Sequence, residues 1–334
     1  MKTESKEYCG KIVLITGAAG FIGSHLVEEL LDRGAHVRAM YRYSSTDHLG
    51  LLGSVSENKK LEYFKGDVND REVCAKALKD VDVVFHLAAL IGIPYSYIAP
   101  NSYYLTNVGG TLNLINACGE QDVSPRFVQM STSEVYGTAI WTPMSEDHPF
   151  QAQSPYSASK IGADAFVTSY QRTYNLPAVI ARPFNNYGPR QSGRAVIPTI
   201  INQIRSKQGE VRLGNLDSIR DFVYVKDTVR ILADLAHCND AIGETVNIGC
   251  GRRITIEETA RLISDLMGID VSIVSSTQRV RPHESEVREL QCDNSKLQNI
   301  LGPIQFTDFK FGLRETIKWF DDTPLGTESF KYEV

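Results

Sequence analysis

A glycine-rich loop between an apolar run and an amphipathic segment constrains this chain more than any other feature. The run Lys11–Thr16 is short and rich in β-branched residues, and Gly17-Ala-Ala-Gly20-Phe-Ile-Gly23 follows it directly. From Phe21 to Asp32 the apolar residues recur at helical spacing. Three glycines at this spacing permit a tight turn, close approach of the backbone to a pyrophosphate, and close helix packing. The loop therefore predicts a dinucleotide-binding site at a helix N-terminus.

Alternating strands and helices continue through the first half of the chain. Further strands are predicted at His36–Arg42, Leu61–Lys65, Val81–Leu87, Arg126–Met130 and Ala178–Ala181, with helices at Asn107–Gly119 and Pro155–Tyr174. Strands separated by helices imply right-handed crossovers and a parallel sheet covered on both faces. After Pro183 we predict a structured loop over Asn185–Gly193, helices at Ile197–Lys207, Lys226–Cys238 and Ile256–Met267, and a strand at Asp221–Val225. We find no low-complexity linker, so the second lobe should pack tightly on the first, with the chain crossing between them more than once.

The overall composition is that of a soluble globular protein. Of the 334 residues, 42% are hydrophobic and 22% charged, and the net charge of -5 argues against a general nucleic-acid binder. Apolar runs fall short of the roughly 20 residues of a membrane span, and the polar start MKTESKEYCG does not resemble a secretion signal. Six scattered cysteines without a C-x-x-C pair indicate reduced thiols, and the seven histidines show no metal-ligand spacing. We therefore expect a cytoplasmic protein with neither a membrane nor a metal partner.

The cofactor is expected to be NAD or NADP. NAD sites usually place an acid after the second strand, whereas this strand continues into Arg42-Tyr-Ser44-Ser45. Arg42 and the two serines could meet a 2′-phosphate, which favours NADP, although Arg42 could instead stack on adenine or face solvent. Asp67 could hydrogen-bond adenine, and the small residues of Leu87-Ala88-Ala89 would admit the cofactor.

A tyrosine and a lysine predict the chemistry. Tyr156 and Lys160 lie four residues apart, so they share one face of the predicted helix, and Pro155 suits its first turn. A phenol is a poor base because its ordinary pKa is about 10. A nearby ammonium favours phenolate and lowers that pKa toward neutrality, where proton transfer is efficient.

Six motifs in order resemble the extended short-chain dehydrogenases/reductases that act on nucleotide sugars. They are GAAGFIG, Gly66-Asp67-Val68, His86–Ala89, Ser131–Gly137, Tyr156–Lys160 and Arg182–Asn185, and the resemblance runs from about residue 10 to 321. It implies an α/β fold, a Rossmann doubly wound parallel sheet with a smaller C-terminal α/β substrate-binding lobe. The implied NAD(P)-binding domain is 1–183, and part of 223–250 returns to it. The implied nucleotide-sugar-binding lobe consists of 184–222 and 251–323, and 324–334 form a tail.

The resemblance also implies the role of each site residue. Tyr156 would take the sugar O4 proton while C4 gives hydride to a tightly held NAD(P), which is reoxidised within the same turnover. Lys160 would lower the tyrosine pKa and bind the nicotinamide ribose. Thr132 would hydrogen-bond O4, or serve only as a helix cap; Asn107 would steady the Lys160 region, or serve only as an N-cap. The implied cofactor-binding set is Gly17, Gly20, Phe21, Ile22, Gly23, Arg42, Asp67, Val68, Leu87, Ala88, Ala89, Asn107, Tyr156 and Lys160.

The triplet Thr132-Ser133-Glu134 departs from the Thr-Asp-Glu of the usual 4,6-dehydratase. Glu134 could be the base at C5, but Ser133 is a far weaker acid than a carboxyl for the leaving C6 hydroxyl. The acid would then be Glu134 itself, a water or another residue. Thr-Ser-Glu also resembles UDP-glucuronate decarboxylases, whereas a 4-epimerase needs no acid–base group near C5. A non-catalytic NAD(P) sensor is a further alternative, against which the Tyr–Lys pair argues.

Other stretches resemble bacterial 4,6-dehydratases of the legionaminic-acid type, which make surface sugars from GDP- or UDP-linked N-acetylglucosamine. The stretches are Ser154–Asp164, Arg182–Ser192, Arg194–Thr199 and Arg281–Lys296. They favour a dehydratase over an epimerase or a decarboxylase. By the same resemblance, Asn185, Arg194, Arg220 and Arg281 are candidates for binding the substrate's diphosphate, and Glu284 for a nucleotide ribose.

The resemblance further implies a homodimer. Its interface would be formed by the helices Asn107–Gly119 and Pro155–Tyr174. Ala163, Phe166 and Val167 lie on that face or belong to the ordinary core.

Overall fold

The computed structural model describes residues 7–43, 48–206, 209–276 and 286–323. Its strands are β1 (Ile12–Thr16), β2 (His36–Tyr41), β3 (Leu61–Lys65), β4 (Val83–His86), β5 (Arg126–Met130), β6 (Ala178–Pro183), β7 (Asn185–Tyr187), β8 (Glu210–Leu213), β9 (Ile219–Arg220), β10 (Phe222–Tyr224), β11 (Thr245–Ile248), β12 (Ile254–Thr255) and β13 (Ser272–Ser275). Its α-helices are α1 (Phe21–Asp32), α2 (Arg71–Ala77), α3 (Ile93–Ile98), α4 (Pro100–Tyr103), α5 (Gly110–Gly119), α6 (Pro155–Tyr174), α7 (Val196–Arg205), α8 (Val225–His237), α9 (Ile256–Met267), α10 (Ser295–Leu301) and α11 (Phe309–Asp322). A π-helical turn spans Tyr104–Gly109, and 3₁₀ turns span Gly50–Ser54, Ser133–Tyr136 and Asn239–Ala241.

Seven parallel strands form the central sheet in the order β11-β6-β5-β4-β1-β2-β3. The order reverses between β1 and β4, which is the switch point of a doubly wound sheet, where ligands bind beyond the carboxyl ends of the strands. The predicted α/β Rossmann class is therefore confirmed. Three two-stranded pairs, β10-β7, β12-β9 and β13-β8, lie outside this sheet.

Strand β1 is apolar throughout because both of its faces are covered by helices. Val13 and Ile15 pack with Leu30 of α1 and Leu232 of α8. Leu14 points to the other face and packs with Leu114 of α5. This two-sided burial holds β1 rigid, so the glycine loop that follows it starts from a fixed position.

The chain returns to the central sheet after residue 240. Strand β11 pairs with β6 in parallel, and α8 packs against α1. A separate apolar core joins Ile201 of α7, Ile263 of α9 and Leu313 of α11. The proposed division of the chain into two lobes and a tail stays a prediction, and residues 324–334 lie outside the described residues.

The predicted helix Asn107–Gly119 is wrong at its start. The helical path already begins at Pro100, passes through the π turn Tyr104–Gly109, and continues as α5 from Gly110. Asn107 lies inside the π turn and is not an N-cap. The wider turn carries the Asn107 side chain inward, where it bonds to two other segments, and sequence spacing does not reveal such tertiary bonds.

No helix in the described part of the chain combines the length and apolarity needed to cross a bilayer. All six cysteines fall within that part and none forms a disulfide; Cys9 is exposed, whereas Cys74, Cys118 and Cys292 are buried. Among the same residues, no group of three His, Cys, Asp or Glu side chains is arranged to hold a metal ion.

Candidate active site

A cavity of about 740 Å³ opens at the carboxyl ends of β1, β4, β5 and β6. It brings together most of the residues that the sequence singled out: Gly17, Gly20, Phe21, Ile22, Gly23, Arg42, Asp67, Val68, Leu87, Ala88, Ala89, Thr132, Ser133, Glu134, Tyr156, Lys160, Asn185, Arg194 and Arg220. Asn107 is buried behind this lining. Arg281, Glu284, Ser44 and Ser45 lie outside the described residues.

The glycine loop is packed so closely that side chains would not fit. Gly17 has a φ of +68°, and a Cβ there would lie 2.8 Å from the Ala88 nitrogen. A Cβ on Gly23 would lie 2.3 Å from the Gly17 carbonyl oxygen. No side chain caps the N-terminus of α1 at Gly20, and Gly20 to Gly23 line the cavity. The loop therefore fits a dinucleotide pyrophosphate, which would meet the backbone N–H groups and the positive end of the helix.

The far end of the cavity lies beyond β2 and β3. Arg42 follows β2 and lines the cavity together with Tyr41. Asp67 follows β3, and its Oδ1 accepts a hydrogen bond of 3.0 Å from the Asn69 N–H. Both side chains thus lie on the part of the wall where the sequence places the adenosine.

Tyr156 lies at the start of α6, whose N-terminus is fixed by a capping box between Ser154 and Ser157. The Tyr156 ring is buried and packs edge-on against Tyr103, with 6.3 Å between the ring centroids. Burial raises the pKa of Tyr156 well above its ordinary value, which is opposite to the lowering toward neutrality that the sequence predicted. A hydrogen bond with the Thr132 hydroxyl opposes this rise in pKa, and the charge of Glu134 adds to it. The three side chains are therefore close enough to act on one substrate.

Lys160 is also buried, and its Nζ donates a 2.6 Å hydrogen bond to the Met130 carbonyl at the end of β5. Burial lowers the pKa of Lys160 to about 8, and the negative charge of Asp164 opposes that decrease. Asp164 accepts hydrogen bonds from Ser131 and from Arg182. The sequence did not predict the buried ion pair between Asp164 and Arg182, although both residues fall within the motifs quoted above.

The triplet Thr132-Ser133-Glu134 joins β5 to a 3₁₀ turn. Thr132 Oγ1 accepts a 3.2 Å bond from the Glu134 N–H, so Thr132 caps the turn and also contacts Tyr156. Ser133 is buried, whereas Glu134 is half-buried on the cavity wall.

Asn107 connects the loop after β4 to α6. Its Oδ1 accepts from the Leu90 N–H at 2.8 Å, and its Nδ2 donates to the Leu90 carbonyl at 2.9 Å. Nδ2 also donates to Ser159 Oγ at 2.8 Å. Asn107 therefore links the loop after β4 to the residue of α6 that precedes Lys160.

Another part of the cavity lining comes from residues after Pro183. Asn185, Arg194 and Arg220 belong to it, and the buried Arg220 lies 3.7 Å from Glu286 across Nη2 and Oε1. Sequence reasoning missed Glu286, which lines the cavity and accepts a 3.3 Å bond from Ser218. The sequence pointed to Glu286 only through its position in the stretch Arg281–Lys296, in which Glu284 was instead named as the candidate for binding a nucleotide ribose.

Comparisons with known proteins agree with this geometry. A family described as GDP-mannose 4,6 dehydratase matches residues 14–316. A dTDP-glucose 4,6-dehydratase from Streptomyces antibioticus is 31% identical over 96% of this chain and 95% of its own length. The solved dTDP-glucose 4,6-dehydratase from Streptomyces venezuelae, with NAD bound, is 31% identical, covers 93% of this chain and 97% of its own, and has a TM-score of 0.83.

Epimerases are similar to the same degree. The solved UDP-N-acetylglucosamine 4-epimerase from Methanobrevibacter ruminantium is 33% identical, covers 94% of this chain and 99% of its own, and has a TM-score of 0.84. Both kinds of relative share the short-chain dehydrogenase/reductase fold, as the motifs predicted. The chain belongs to the GDP-mannose 4,6-dehydratase family of NAD-dependent nucleotide-sugar dehydratases and epimerases.

Proposed function

We propose that the protein is a nucleotide-sugar 4,6-dehydratase, which converts a nucleoside-diphosphate hexose or N-acetylhexosamine to its 4-keto-6-deoxy form. The observation that carries this proposal is the position of Glu134, on the cavity wall beside Thr132 and Tyr156. Bound at the glycine loop, NAD or NADP would supply the redox chemistry, by accepting hydride from C4 and returning it to C6. Every other step falls to side chains of the chain itself.

Tyr156 begins the reaction by taking the O4 proton as C4 is oxidised. Thr132 is placed to hold the same oxygen, because its hydroxyl already bonds to the Tyr156 side chain. Lys160 lies one turn further along α6, with its Nζ on the Met130 carbonyl, and the motif resemblance assigns it to the nicotinamide ribose. These roles for Thr132, Tyr156 and Lys160 would serve a dehydratase, an epimerase or a decarboxylase equally well.

Glu134 distinguishes the dehydratase. A 4-keto group acidifies the proton on C5, and elimination then needs one base for that proton and one acid for the C6 hydroxyl. Three carboxylates line the described cavity: Asp67, which follows β3; Glu286, which lies near Arg220; and Glu134. Of the three, only Glu134 adjoins Tyr156. Ser133 is buried and is a far weaker acid than a carboxyl. We therefore assign both steps to Glu134: it takes the C5 proton and gives it to the C6 hydroxyl, which leaves as water. After hydride has returned to C6, Glu134 passes a proton from solvent to C5, and Tyr156 releases the O4 proton to solvent.

The substrate's diphosphate would be bound by Asn185, Arg194 and Arg220. Both arginines line the cavity, and guanidinium groups suit phosphate oxygens. We favour GDP- or UDP-N-acetylglucosamine as the substrate. The motif resemblance supports it, as does the 33% identity to a UDP-N-acetylglucosamine 4-epimerase.

Product mass tests the proposal directly. The purified protein would be incubated separately with GDP-N-acetylglucosamine, UDP-N-acetylglucosamine, dTDP-glucose and UDP-glucuronate, without added cofactor. A 4,6-dehydratase removes water, a loss of about 18 mass units, and exchanges the C5 proton with solvent deuterium by general acid–base chemistry. Decarboxylation of UDP-glucuronate alone, or an unchanged mass with a new C4 stereoisomer, would overturn the dehydratase assignment. Glu134→Gln is the matched control, because it should abolish the mass loss without removing the cavity.

NADP is the dinucleotide that we favour. Arg42 lines the cavity where the adenosine is expected, and the described residues after β2 (Arg42 and Tyr43) include no acid. Denaturing the purified protein and separating the released dinucleotide by chromatography will identify it. Release of NAD alone would contradict this choice and leave the dehydratase proposal intact.

A homodimer is the expected assembly. Large apolar side chains are exposed on the π turn and on α6: Tyr104 is 63% exposed, Leu105 57%, Phe166 38% and Tyr174 65%. Ala163 and Val167 are fully buried within the subunit, which agrees with the alternative that they belong to the ordinary core, and only Phe166 of the three is exposed. Sedimentation of Leu105→Glu/Phe166→Glu should show a monomer. Phe311→Glu, at an exposed position of α11, should leave the assembly unchanged.

A further inference from the structure

A two-pronged ion pair joins α1 to the loop that follows β7. Arg190 Nη1 lies 3.0 Å from Glu28 Oε2, and Nη2 lies 2.6 Å from Glu28 Oε1. Nη1 also donates to Ser24 Oγ at 3.3 Å. Next to it, His25 Nε2 lies 3.0 Å from the Pro189 carbonyl oxygen. The loop is therefore bound to one face of α1 by adjacent contacts.

The loop adopts a backbone conformation that its own residues do not favour. Arg190 has a φ of +68°, in the left-handed region, where a residue with a Cβ is strained. Gly188, two residues earlier, has a φ of +149°. A strained residue persists where its surroundings hold it. The restraints observed on the Arg190 side chain are the pair with Glu28 and the bond to Ser24.

The pair connects two walls of the cavity without lining it. The helix that carries Glu28 begins at Phe21, and Gly20 to Gly23 line the dinucleotide end. The loop that carries Arg190 contributes Gln191, Arg194 and Ala195 to the lining of the same cavity. In the described part of the cavity wall, neither Glu28 nor Arg190 is present, so any effect on ligands must pass through their neighbours.

We infer that Arg190 and Glu28 are positioning residues, which hold the loop 188–195 against α1 and so set the affinity for the nucleotide sugar. This inference rests on the proposed function, because it assumes that Arg194 meets the substrate's diphosphate. The guanidinium fork matters because its two parallel bonds fix an orientation as well as a distance. An error of about 1 Å in the placement of a binding group is enough to weaken binding or catalysis severely.

The experiment compares three variants of the full-length protein. Glu28→Gln removes the charge and leaves the Arg190 backbone as it is. Arg190→Gly removes the side chain and tolerates the positive φ. Glu29→Gln is the matched control, since Glu29 is the next residue of α1 and pairs at 2.8 Å with Arg33 of the same segment. Calorimetry with UDP, GDP and dTDP gives Kd without turnover, and kinetics with the converted sugar gives KM and kcat separately.

We expect Glu28→Gln and Arg190→Gly to raise both Kd and KM about tenfold, with kcat changed much less, because the lost bonds act on placement. Glu29→Gln should match the wild type. The inference is overturned if both variants bind like the wild type, or if only Arg190→Gly weakens binding, since the loop backbone and not the pair would then be responsible. A wild-type protein that binds none of the three nucleotides would instead overturn the proposed function itself.

Discussion

Burial moves the pKa values of Tyr156 and Lys160 in opposite directions. The pKa of the phenol is raised and that of the ammonium is lowered to about 8, so the charged form of each is disfavoured. The Thr132 hydroxyl bonds to the phenol, and Asp164 favours the charge on Lys160. Thr132 and Asp164 thus partly offset the effect of burial on the two pKa values.

Glu134→Gln should separate the two halves of the proposed reaction. The amide cannot take the C5 proton, so dehydration should slow by about a hundredfold or more. Oxidation at C4 needs only Tyr156, Thr132 and Lys160, and should continue. Reduced nicotinamide should therefore build up, which its absorbance reports during a single turnover.

Tyr156→Phe is the companion variant. It should lose both halves of the reaction, with no accumulation of reduced nicotinamide. If Glu134→Gln removes water at the wild-type rate, Glu134 is not the C5 base and another side chain must be sought.

At the scale of single elements, the turn from β1 into α1 depends on the absence of a side chain. A Cβ on Gly23 would come within 2.3 Å of the Gly17 carbonyl oxygen, which belongs to rigid backbone. Gly23→Ala should therefore destabilise the fold by about 1–3 kcal/mol and lower the dinucleotide content of the purified protein. Gly53→Ala is the control, because nothing lies within 4 Å of a Cβ there. Equal melting temperatures for the two variants would contradict this account.

The helix α1 also carries a pH-dependent contribution to stability. Burial lowers the pKa of His25 to about 4, below the ordinary 6.5 of an unfolded chain. The folded state then binds fewer protons than the unfolded state, so the contribution is fully present above pH 6.5 and is lost as the pH falls toward 4. Its size is at most on the order of 3 kcal/mol. Urea unfolding at pH 7.5 and pH 4.5 should show a weaker pH dependence for His25→Gln than for the wild type.

The sequence predicted the elements that have strong local patterns. Strand β3, helix α1 and helix α6 begin and end as the apolar periodicity and the Pro155 signal indicated. It did not predict the π turn around Asn107, because that turn depends on bonds to Leu90 and Ser159. Glu286 and the Arg190–Glu28 pair were missed for the same reason, since each depends on contacts between distant segments.

At the scale of the whole molecule, the two halves of the chain share the central sheet. β11 supplies the strand beside β6, and α8 covers α1, although both lie well beyond Pro183. Any fragment that ends before them leaves apolar surface of β6 and α1 uncovered.

A fragment that stops at Pro183 should therefore fail to fold cooperatively, despite containing the glycine loop and the Tyr–Lys pair. Burying too little apolar surface leaves the conformational entropy of the chain uncompensated. Circular dichroism during urea titration will show a broad transition in the fragment and a steep one in the full chain. A fragment with a steep transition and bound dinucleotide would show instead that β11 and α8 are dispensable.

The late return of β11 to the sheet also matters while the protein is being made. Ribosomes extend a chain at about 5–20 residues per second, so about 3 to 13 seconds pass between the synthesis of β6 and that of β11. During that interval β6 has an open edge, and an open apolar edge pairs readily with other chains. Nascent copies of this protein on neighbouring ribosomes are therefore more prone to aggregate than finished ones, and a chaperone would be most useful before Ile248 emerges.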